Sequence, residues 1–225
     1  MPSKAARKSG KDSATVVLVD DHPLLREGLT QLIEKNTEFS VCGQFEDAPQ
    51  ALRGITALHP DVAIIDLSLK EGDGLELVKD LKTRHPRLPV LVLSMHDESL
   101  YAERALRAGA RGYIMKQEAP ANILRALRRV LRGEIYVSDS AAKRLVGVVA
   151  ASGGDATVSP LERLSDRELA VFQLIGAGFP TRDVADKLKL SVKTIESHRA
   201  HIKAKLKLKS AMELVRYAIH WAQKQ

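Results

Sequence analysis

The sequence contains a single cysteine, Cys42, so the chain has no second thiol for an intrachain disulfide. Aromatic residues make up only 4% of the chain, which leaves few rings for stacking single-stranded nucleic acid. No apolar run approaches the ~18 residues that a membrane helix needs, and residues 1–13 are too polar for a signal peptide. Because nothing indicates an oxidising compartment, we expect a cytoplasmic protein with no membrane partner.

Length and charge indicate two domains of different character. With 225 residues the chain exceeds what one ordinary α/β domain needs, and its 44% apolar content can fill a core. Residues 161–225 carry 13 basic and 7 acidic side chains, whereas residues 15–137 carry 16 basic and 18 acidic ones. This partition favours contact of the basic domain with nucleic acid, against the alternative of a basic surface that is only solvated.

The first part of the chain alternates short β-branched runs with helical segments. Between the runs, apolar residues recur at spacings of three and four, as in LLREGLTQLIEK and GLELVKDLKTR. Repeats of strand and helix with such short connections predict a parallel sheet covered by helices on both faces. The five predicted strands are residues 15–19, 39–45, 61–65, 89–94 and 112–115.

Beyond Val137 the pattern loosens into a segment with a helical start and then a stretch rich in Gly and Ser, which indicates a linker. From Leu161 onward the pattern is helical throughout. We expect a disordered basic arm at 1–14, an α/β domain at 15–136, a linker at 137–160 and a small all-α domain at 161–225. The helices predicted in the last domain are residues 166–177, 182–188, 192–206 and 211–223.

Polar residues follow the predicted strands at the sheet edge where parallel sheets bind ligands. Asp20 and Asp21 follow the first strand, Asp66 follows the third, Ser94 ends the fourth and Lys116 follows the fifth. Three carboxylates at one edge repel one another unless a divalent cation with oxygen ligands, such as Mg²⁺, compensates their charge. With the cation bound, Asp66 can attack a phosphorus atom while Lys116 and Ser94 hold the transferred oxygens. The alternative for Asp21 is a structural one, as N-cap of the helix that follows.

A helical wheel of residues 192–206 separates an apolar stripe from a face of small residues. Ile195, Ile202 and Leu206 form the stripe, which predicts the side that packs on the domain core. The opposite face would let a DNA major groove approach the backbone, with basic side chains beside it for phosphates. The alternative is an ordinary surface helix whose lysines only aid solubility. The opposite face consists of Lys193, Ser197, Ala200 and Ala204, flanked by Lys203 and Lys205.

The first domain resembles the receiver domain of two-component response regulators. The resemblance spans residues 15 to about 135 and rests on VDDHP at 19–23, IIDLSLKEGDGLEL at 64–77, the Ser94 hydroxyl and GYIMK at 112–116. It implies a flavodoxin-like, five-stranded parallel sheet with Asp66 as the phosphoacceptor. It also implies that Asp66 and Asp21 bind Mg²⁺ directly, joined by Asp20 through water and by the main-chain carbonyl of Ser68.

The same resemblance implies which residues sense the phosphoryl group. Ser94 and Lys116 are expected to contact it, and Tyr113 is expected to swing inward with Ser94 on activation. The alternative for Tyr113 is a half-buried strand residue without a switching role. Two positions depart from the family pattern, because Lys70 and Gln117 stand where receivers commonly have proline. The second departure argues against the cis peptide usual at that junction, because a non-proline cis bond costs roughly 2.5 to 4 kcal/mol.

The second domain resembles the LuxR-type helix-turn-helix of the NarL/FixJ family over residues 161–225. The matching segments are LSDRE at 164–168, DVADKL at 183–188 and LSVKTIESHRAHIKAKL at 190–206. The resemblance implies binding to double-stranded DNA as a homodimer. Glu196, Ser197 and Ala200 are expected to face the bases, although Glu196 could instead pair with Arg199. The residues expected to contact phosphates or the DNA backbone are Lys193, Thr194, His198, Lys203 and Lys205, with local packing as the alternative for His198.

Together these residues predict a phosphorylation-controlled transcription regulator and not an enzyme. A cognate sensor histidine kinase or a small phosphodonor would phosphorylate Asp66, after which the basic domains would pair on promoter DNA. One alternative is a constitutive DNA-binding regulator whose receiver serves only for dimerisation. The other is a Mg²⁺-dependent phosphohydrolase with Asp66 as nucleophile, which would lack its usual second aspartate because Ser68 occupies that position.

Overall fold

The computed structural model describes residues 13–69, 72–150 and 160–223. The chain forms two units that divide between Leu145 and Val146. Most of the predicted N-terminal arm and Lys70 lie outside the described residues. Ala14 corrects the predicted end of that arm, because it begins the first strand and its N–H donates to the carbonyl of Glu38.

The first unit is built on a five-stranded sheet whose strands are all parallel. The strands follow the order β2-β1-β3-β4-β5, which is the flavodoxin-like order, so the predicted fold class is confirmed. The register of β1 against β2 shifts at a bulge between Val16 and Val17. The strand bounds are β1 Ala14–Val19, β2 Phe39–Phe45, β3 Val62–Ile65, β4 Val90–Ser94 and β5 Gly112–Met115.

Helices connect consecutive strands, as the spacing of apolar residues predicts. Three of them begin at an aspartate whose carboxylate accepts main-chain N–H groups: Asp47 for α2, Asp73 for α3 and Asp97 for α4. A short 3₁₀ helix, Lys116–Glu118, joins β5 to the fifth helix. The bounds are α1 Pro23–Glu34, α2 Ala48–Leu58, α3 Gly74–Arg84, α4 Glu98–Ala108 and α5 Ala119–Leu131.

Both faces of the sheet are buried, because every residue of β3 and β4 is buried and successive side chains point to opposite sides. One continuous apolar cluster joins strand residues to α1 and α5. It includes Val16, Leu18, Ile64, Leu91, Leu93, Leu29, Ile33, Ile123 and Leu127. The buried strands thereby fix the positions of the polar residues that follow them.

The segment after the sheet is helical before it leaves the described residues. Helix α6 spans Asp139–Ala150, within the predicted linker. The N–H of Ser138, just before this helix, donates to Glu98 Oε1 at 2.9 Å, and the Ser138 hydroxyl also bonds to the Glu98 carboxylate. The start of α6 is thus tied to the first turn of α4.

The second unit is all-α in its described part and close to the predicted pattern. A 3₁₀ turn at Pro160–Arg163 precedes α7 Asp166–Gly176, α8 Thr181–Leu188, α9 Val192–Lys205 and α10 Ala211–Ala222. Phe172 lies at the centre of the core, with its ring 5.8 Å from that of Tyr217 and 5.7 Å from that of Trp221. The α10 face with Leu214 and Ala218 is therefore a core-packing face.

A tight turn sets the direction of α9 relative to α8. Lys189 ends α8 in the left-handed region, with φ 53°, and the N–H of Leu190 donates to the carbonyl of Ala185. Ser191 then caps α9, because its hydroxyl accepts the N–H of Thr194 at 3.0 Å. A non-glycine residue in this backbone region costs energy, so the surrounding contacts hold the turn in place.

Gly74 at the start of α3 provides a test of how tightly the loop after β3 is packed. A Cβ atom there would lie 2.1 Å from the carbonyl oxygen of Asp66, so we expect Gly74→Ala to lower the free energy of unfolding by about 2 kcal/mol. The matched control is Gly28→Ala on the exposed face of α1, where a Cβ meets nothing within 4 Å. That change should raise stability by roughly 0.5 to 1 kcal/mol through helix propensity. Urea unfolding of both variants checks this, and equal effects would contradict it.

Candidate functional site

The carboxyl edge of the sheet brings three charged side chains into contact. Asp20 follows β1, Asp66 follows β3 and Lys116 follows β5, and all three are buried. The N–H of Asp66 donates to the carbonyl of Val19 at 2.8 Å, which continues the pairing of β3 with β1 beyond the regular strands. The parallel sheet therefore places residues from distant parts of the sequence beside one another.

One ammonium group bridges the two buried carboxylates. Lys116 Nζ lies 2.7 Å from Asp20 Oδ2 and 2.8 Å from Asp66 Oδ2. Burial alone would lower the pKa of Lys116, but its bonds to both aspartates raise it overall, so the lysine stays charged. The three aspartates of this edge outnumber its two cations, Lys116 and Arg26, whose guanidinium donates to the Asp20 carbonyl, so the edge keeps a negative charge.

Burial also changes the protonation of Asp66. It raises the pKa of this carboxyl to about 6, with Lys116 opposing the shift and Asp20 adding to it. Near neutral pH most molecules therefore carry an ionised Asp66. An ionised carboxylate with little hydration is a suitable nucleophile for an electrophilic phosphorus atom.

The carboxylate edge fits a hard divalent cation. Atoms of Asp20, Asp21, His22 and Asp66 lie within 4.8 Å of one another, and a carboxylate oxygen is what each aspartate offers. Asp66 Oδ1 is buried and accepts no hydrogen bond from the described residues. Oxygen ligands and an excess of negative charge are what Mg²⁺ prefers in proteins. The residues present are thus compatible with the expected Mg²⁺ site.

His22 is a member of this cluster that the sequence analysis did not single out. Its ring Nδ1 lies 3.0 Å from Asp20 Oδ1 and 2.7 Å from Asp21 Oδ1. Its main-chain N–H donates to Asp20 Oδ1 at 2.8 Å. His22 also occupies the N-cap position of α1, which has no side-chain cap. The alternative of Asp21 as N-cap is therefore wrong. The only sequence signal for His22 is its place next to the two aspartates.

Ser94 and Tyr113 converge on the main chain of His96. The Ser94 hydroxyl accepts the N–H of His96 at 3.1 Å, and the Tyr113 hydroxyl donates to the His96 carbonyl at 2.7 Å. Tyr113 is a fully buried residue of β5 and not a half-buried one, and its switching role stays a prediction. Burial raises the pKa of Tyr113 above its usual value, which keeps the hydroxyl protonated as a donor.

The loop that carries Ser68 reaches the same segment. Ser68 is exposed, and its hydroxyl lies 3.0 Å from His96 Nε2. The His96 ring stacks on Tyr101 of α4 at 4.6 Å between centroids. His96 thus contacts the loop after Asp66, β5 and α4 together, a role that its sequence position alone does not reveal.

All described peptide bonds are trans, including the one before Gln117, as the sequence leads us to expect.

The second candidate site is the outward face of α9. Ile195 and Ile202 are buried in the domain core, while Leu206 is half-buried just beyond the helix end. Five of the predicted DNA-contact residues are exposed, and three are half-buried. The exposed ones are Lys193, Glu196, Ser197, Ala200 and Lys205, and the half-buried ones are Thr194, His198 and Lys203.

Contacts within the unit distinguish the charged residues of α9. Lys205 Nζ lies 2.6 Å from Oε2 of Glu168, a buried carboxylate at the start of α7. Arg199 donates to the Thr181 hydroxyl at 3.1 Å and lies 3.9 Å from Glu196, a distance at the limit of an ion pair. Lys205 therefore has a structural partner, which changes the expectation that it is available to bind phosphate.

Two family models match the chain, one for each unit. The model described as response regulator receiver domain matches residues 16–128, and the one described as bacterial regulatory proteins, luxR family, matches residues 162–218. The oxygen regulatory protein NreC of Staphylococcus aureus strain JH9 is 36% identical over 208 residues, which cover 91% of this chain and 96% of that protein.

No described helix has the length and apolarity needed to span a bilayer.

Solved structures of a response regulator are similar over most of the chain. RcsB from Salmonella enterica serovar Typhimurium, bound to promoter P1flhDC in the presence of the phosphomimetic BeF₃⁻, matches with 30% identity and a TM-score of 0.67. That match covers 92% of this chain and 98% of the RcsB chain. A second Salmonella typhimurium RcsB structure matches with 29% identity and a TM-score of 0.70, at the same coverage of both chains.

The bridging lysine should be essential for stability in the absence of divalent cations. We expect Lys116→Met to lower the free energy of unfolding by roughly 3 kcal/mol, because it leaves two buried carboxylates without a cation. The control is Lys79→Met, which removes an exposed pair with Glu76 on α3 and should cost less than about 1 kcal/mol. Urea unfolding with a chelator present measures both, and a small effect of Lys116→Met would contradict the geometry.

Proposed function

This chain belongs to the NarL/FixJ-family response regulators, which join a receiver domain to a LuxR-family DNA-binding domain, and from that premise we propose that phosphorylation of Asp66 controls its binding to promoter DNA. The family consists of DNA-binding transcription regulators, so the phosphohydrolase alternative is not supported. The observation that carries the proposal is the buried, ionisable Asp66 beside Lys116, with one carboxylate oxygen that accepts no hydrogen bond from the residues that the structure describes.

Phosphoryl transfer to Asp66 needs few changes in the pocket. A carboxylate oxygen of Asp66 attacks the phosphorus of a phosphohistidine or a small phosphodonor, and the P–N or P–O bond to the donor breaks. The donor leaves with the electron pair and, where its basicity requires, a proton. Asp20, Asp21, Asp66 and the Ser68 carbonyl would hold Mg²⁺, which would supply positive charge that favours the transfer. Lys116, already at Asp66, then pairs with a phosphoryl oxygen.

The signal then passes through the segment after β4. A Ser94 hydroxyl that turns toward the phosphoryl group releases the N–H of His96, whose carbonyl holds Tyr113. His96 lies two residues before Glu98, and Glu98 holds Ser138 at the start of α6. A displacement at Ser94 therefore has a route to the helix that follows the sheet, through hydrogen bonds at His96 and Glu98 and the main chain between these two residues.

The DNA-binding step uses the outward face of α9. Glu196, Ser197 and Ala200 face the base edges of the major groove, while Lys193, Thr194, His198 and Lys203 contact the backbone. The structure of the related RcsB has been solved bound to promoter DNA, which supports double-stranded DNA as the partner of this chain. Two copies would bind half-sites about one helical turn apart as a homodimer. We also propose that a cognate sensor histidine kinase phosphorylates this protein and that the protein is cytoplasmic.

Phosphorylation of Asp66 is tested by mass spectrometry of the intact protein. After incubation with acetyl phosphate and Mg²⁺, we expect one phosphoryl adduct on the wild-type chain and none on Asp66→Asn. The adduct should be absent when a chelator replaces Mg²⁺, because the carboxylate edge then has no divalent cation. An unmodified wild-type chain, or one that binds DNA equally with and without the adduct, would favour the constitutive regulator.

Salt dependence of DNA binding separates Lys203 from Lys205. We expect Lys203→Ala to weaken binding on all sequences and to reduce the slope of log K against log salt by about 0.9, the value for one phosphate contact. Lys205→Ala should instead lower the stability of the second unit by about 2 kcal/mol, because it leaves Glu168 buried without its cation. Lys35→Ala, on the exposed end of α1, is the control. A slope unchanged by Lys203→Ala removes that residue from the interface.

A further inference from the structure

Three side chains with metal-binding atoms meet where the first turn of α7 contacts α9. Glu168 belongs to α7, and His198 and His201 lie on α9. One oxygen or ring nitrogen from each lies within 4.8 Å of the other two. We propose that Glu168, His198 and His201 form a binding site for a divalent transition-metal ion of the Zn²⁺ class, separate from the carboxylate edge of the first unit.

Glu168 has one carboxylate oxygen occupied and one available. Its Oε2 accepts the N–H of Ser165 at 2.7 Å and the ammonium of Lys205 at 2.6 Å. Its Oε1 faces Nδ1 of His201 at 3.8 Å, which is too long for a hydrogen bond. The carboxylate is buried and held in place by the capping box of α7. The carboxylate is therefore held in position, with Oε1 on the side of the His201 imidazole.

Glu168 is also in the protonation state that a metal requires. Burial alone would raise its pKa, but hydrogen bonds from Lys205 and Ser165 lower it overall. The carboxylate is thus ionised at neutral pH. Lys205 neutralises charge on the Oε2 side and leaves Oε1 with the lone pairs that a cation needs.

The two histidines have the spacing and freedom of metal ligands. Residues three apart lie on the same face of a helix, so His198 and His201 project toward the same point. Neither imidazole makes a hydrogen bond to another described residue, and the His201 side chain is 65% exposed. Metal bonds of about 2.0 to 2.2 Å place tetrahedral ligands roughly 3.4 Å apart. The 3.8 Å between Glu168 Oε1 and His201 Nδ1 is close to that spacing.

The donor set determines the class of ion. Two imidazoles and one carboxylate suit Zn²⁺ and its neighbours among the transition metals, whereas Mg²⁺ and Ca²⁺ favour all-oxygen sites. The carboxylate edge, with three aspartates, presents the opposite preference. Three protein ligands leave one position open, so water completes the coordination.

Binding at this site would add a metal link between two helices that the Lys205–Glu168 ion pair already joins. Glu168 lies in the first turn of α7, and the histidines lie near the middle of α9. An ion that binds the folded unit and not the unfolded chain raises the stability of that unit. The inference is independent of phosphorylation, because none of its residues belongs to the first unit.

The site is tested by calorimetric titration of Zn²⁺ into the full-length protein in excess Mg²⁺. We expect one Zn²⁺ site in the wild-type chain and a Kd at least about tenfold higher in both His201→Gln and His198→Gln. The matched control is His220→Gln, an exposed histidine on α10, which should bind as wild type. The midpoint of thermal unfolding of the second unit should also rise with Zn²⁺ in the wild type and less in His201→Gln.

Three results would overturn the proposal. The first is a wild-type chain that binds no Zn²⁺ in excess Mg²⁺. The second is binding that His201→Gln and His198→Gln leave unchanged while both variants show the wild-type circular dichroism spectrum. The third is binding that is lost in His22→Gln instead, which would place the ion at the carboxylate edge of the first unit.

Discussion

The contact between Lys116 and the two aspartates is the constraint on which the first unit depends. An ammonium placed 2.7 to 2.8 Å from Asp20 and Asp66 permits two carboxylates to be buried together at the sheet edge. It does not neutralise them completely, so the pocket retains an attraction for cations. A structure that buried a fully balanced pair would be more stable and would have less reason to bind a divalent ion or to accept a phosphoryl group. At this edge, a balance of charge that would raise the stability of the fold would also reduce its capacity to bind a divalent ion and accept a phosphoryl group.

Much of the fold follows from the sequence because the relevant signals are periodic. Apolar runs and three- and four-residue spacings give the five strands and the four α-helices α7 to α10 to within about two residues, and the strand ends then bring Asp20, Asp66 and Lys116 together. Features that depend on side-chain direction are different. His22 and the Lys205–Glu168 contact have no periodic signal, since each depends on where a long or aromatic side chain turns in three dimensions.

The route from the pocket to α6 shows why the sequence is silent about coupling. Ser94, Tyr113 and Glu98 each have an ordinary local explanation, as a strand end, a core aromatic and a first-turn acid. Their hydrogen bonds to His96 and Ser138 join these into one chain of contacts. Such a chain arises only when loops from separate βα units meet, so it belongs to the tertiary structure and not to any single segment.

The turn at Lys189 has a consequence for how this protein could acquire new operators. The left-handed backbone at this lysine, the Ser191 cap and the buried Ile195 and Ile202 together determine the orientation of α9. The outward side chains contribute little to that orientation. Binding preference and folding are therefore encoded by different positions of the same helix, and mutation can explore new promoter sequences while selection for a folded domain continues to act elsewhere.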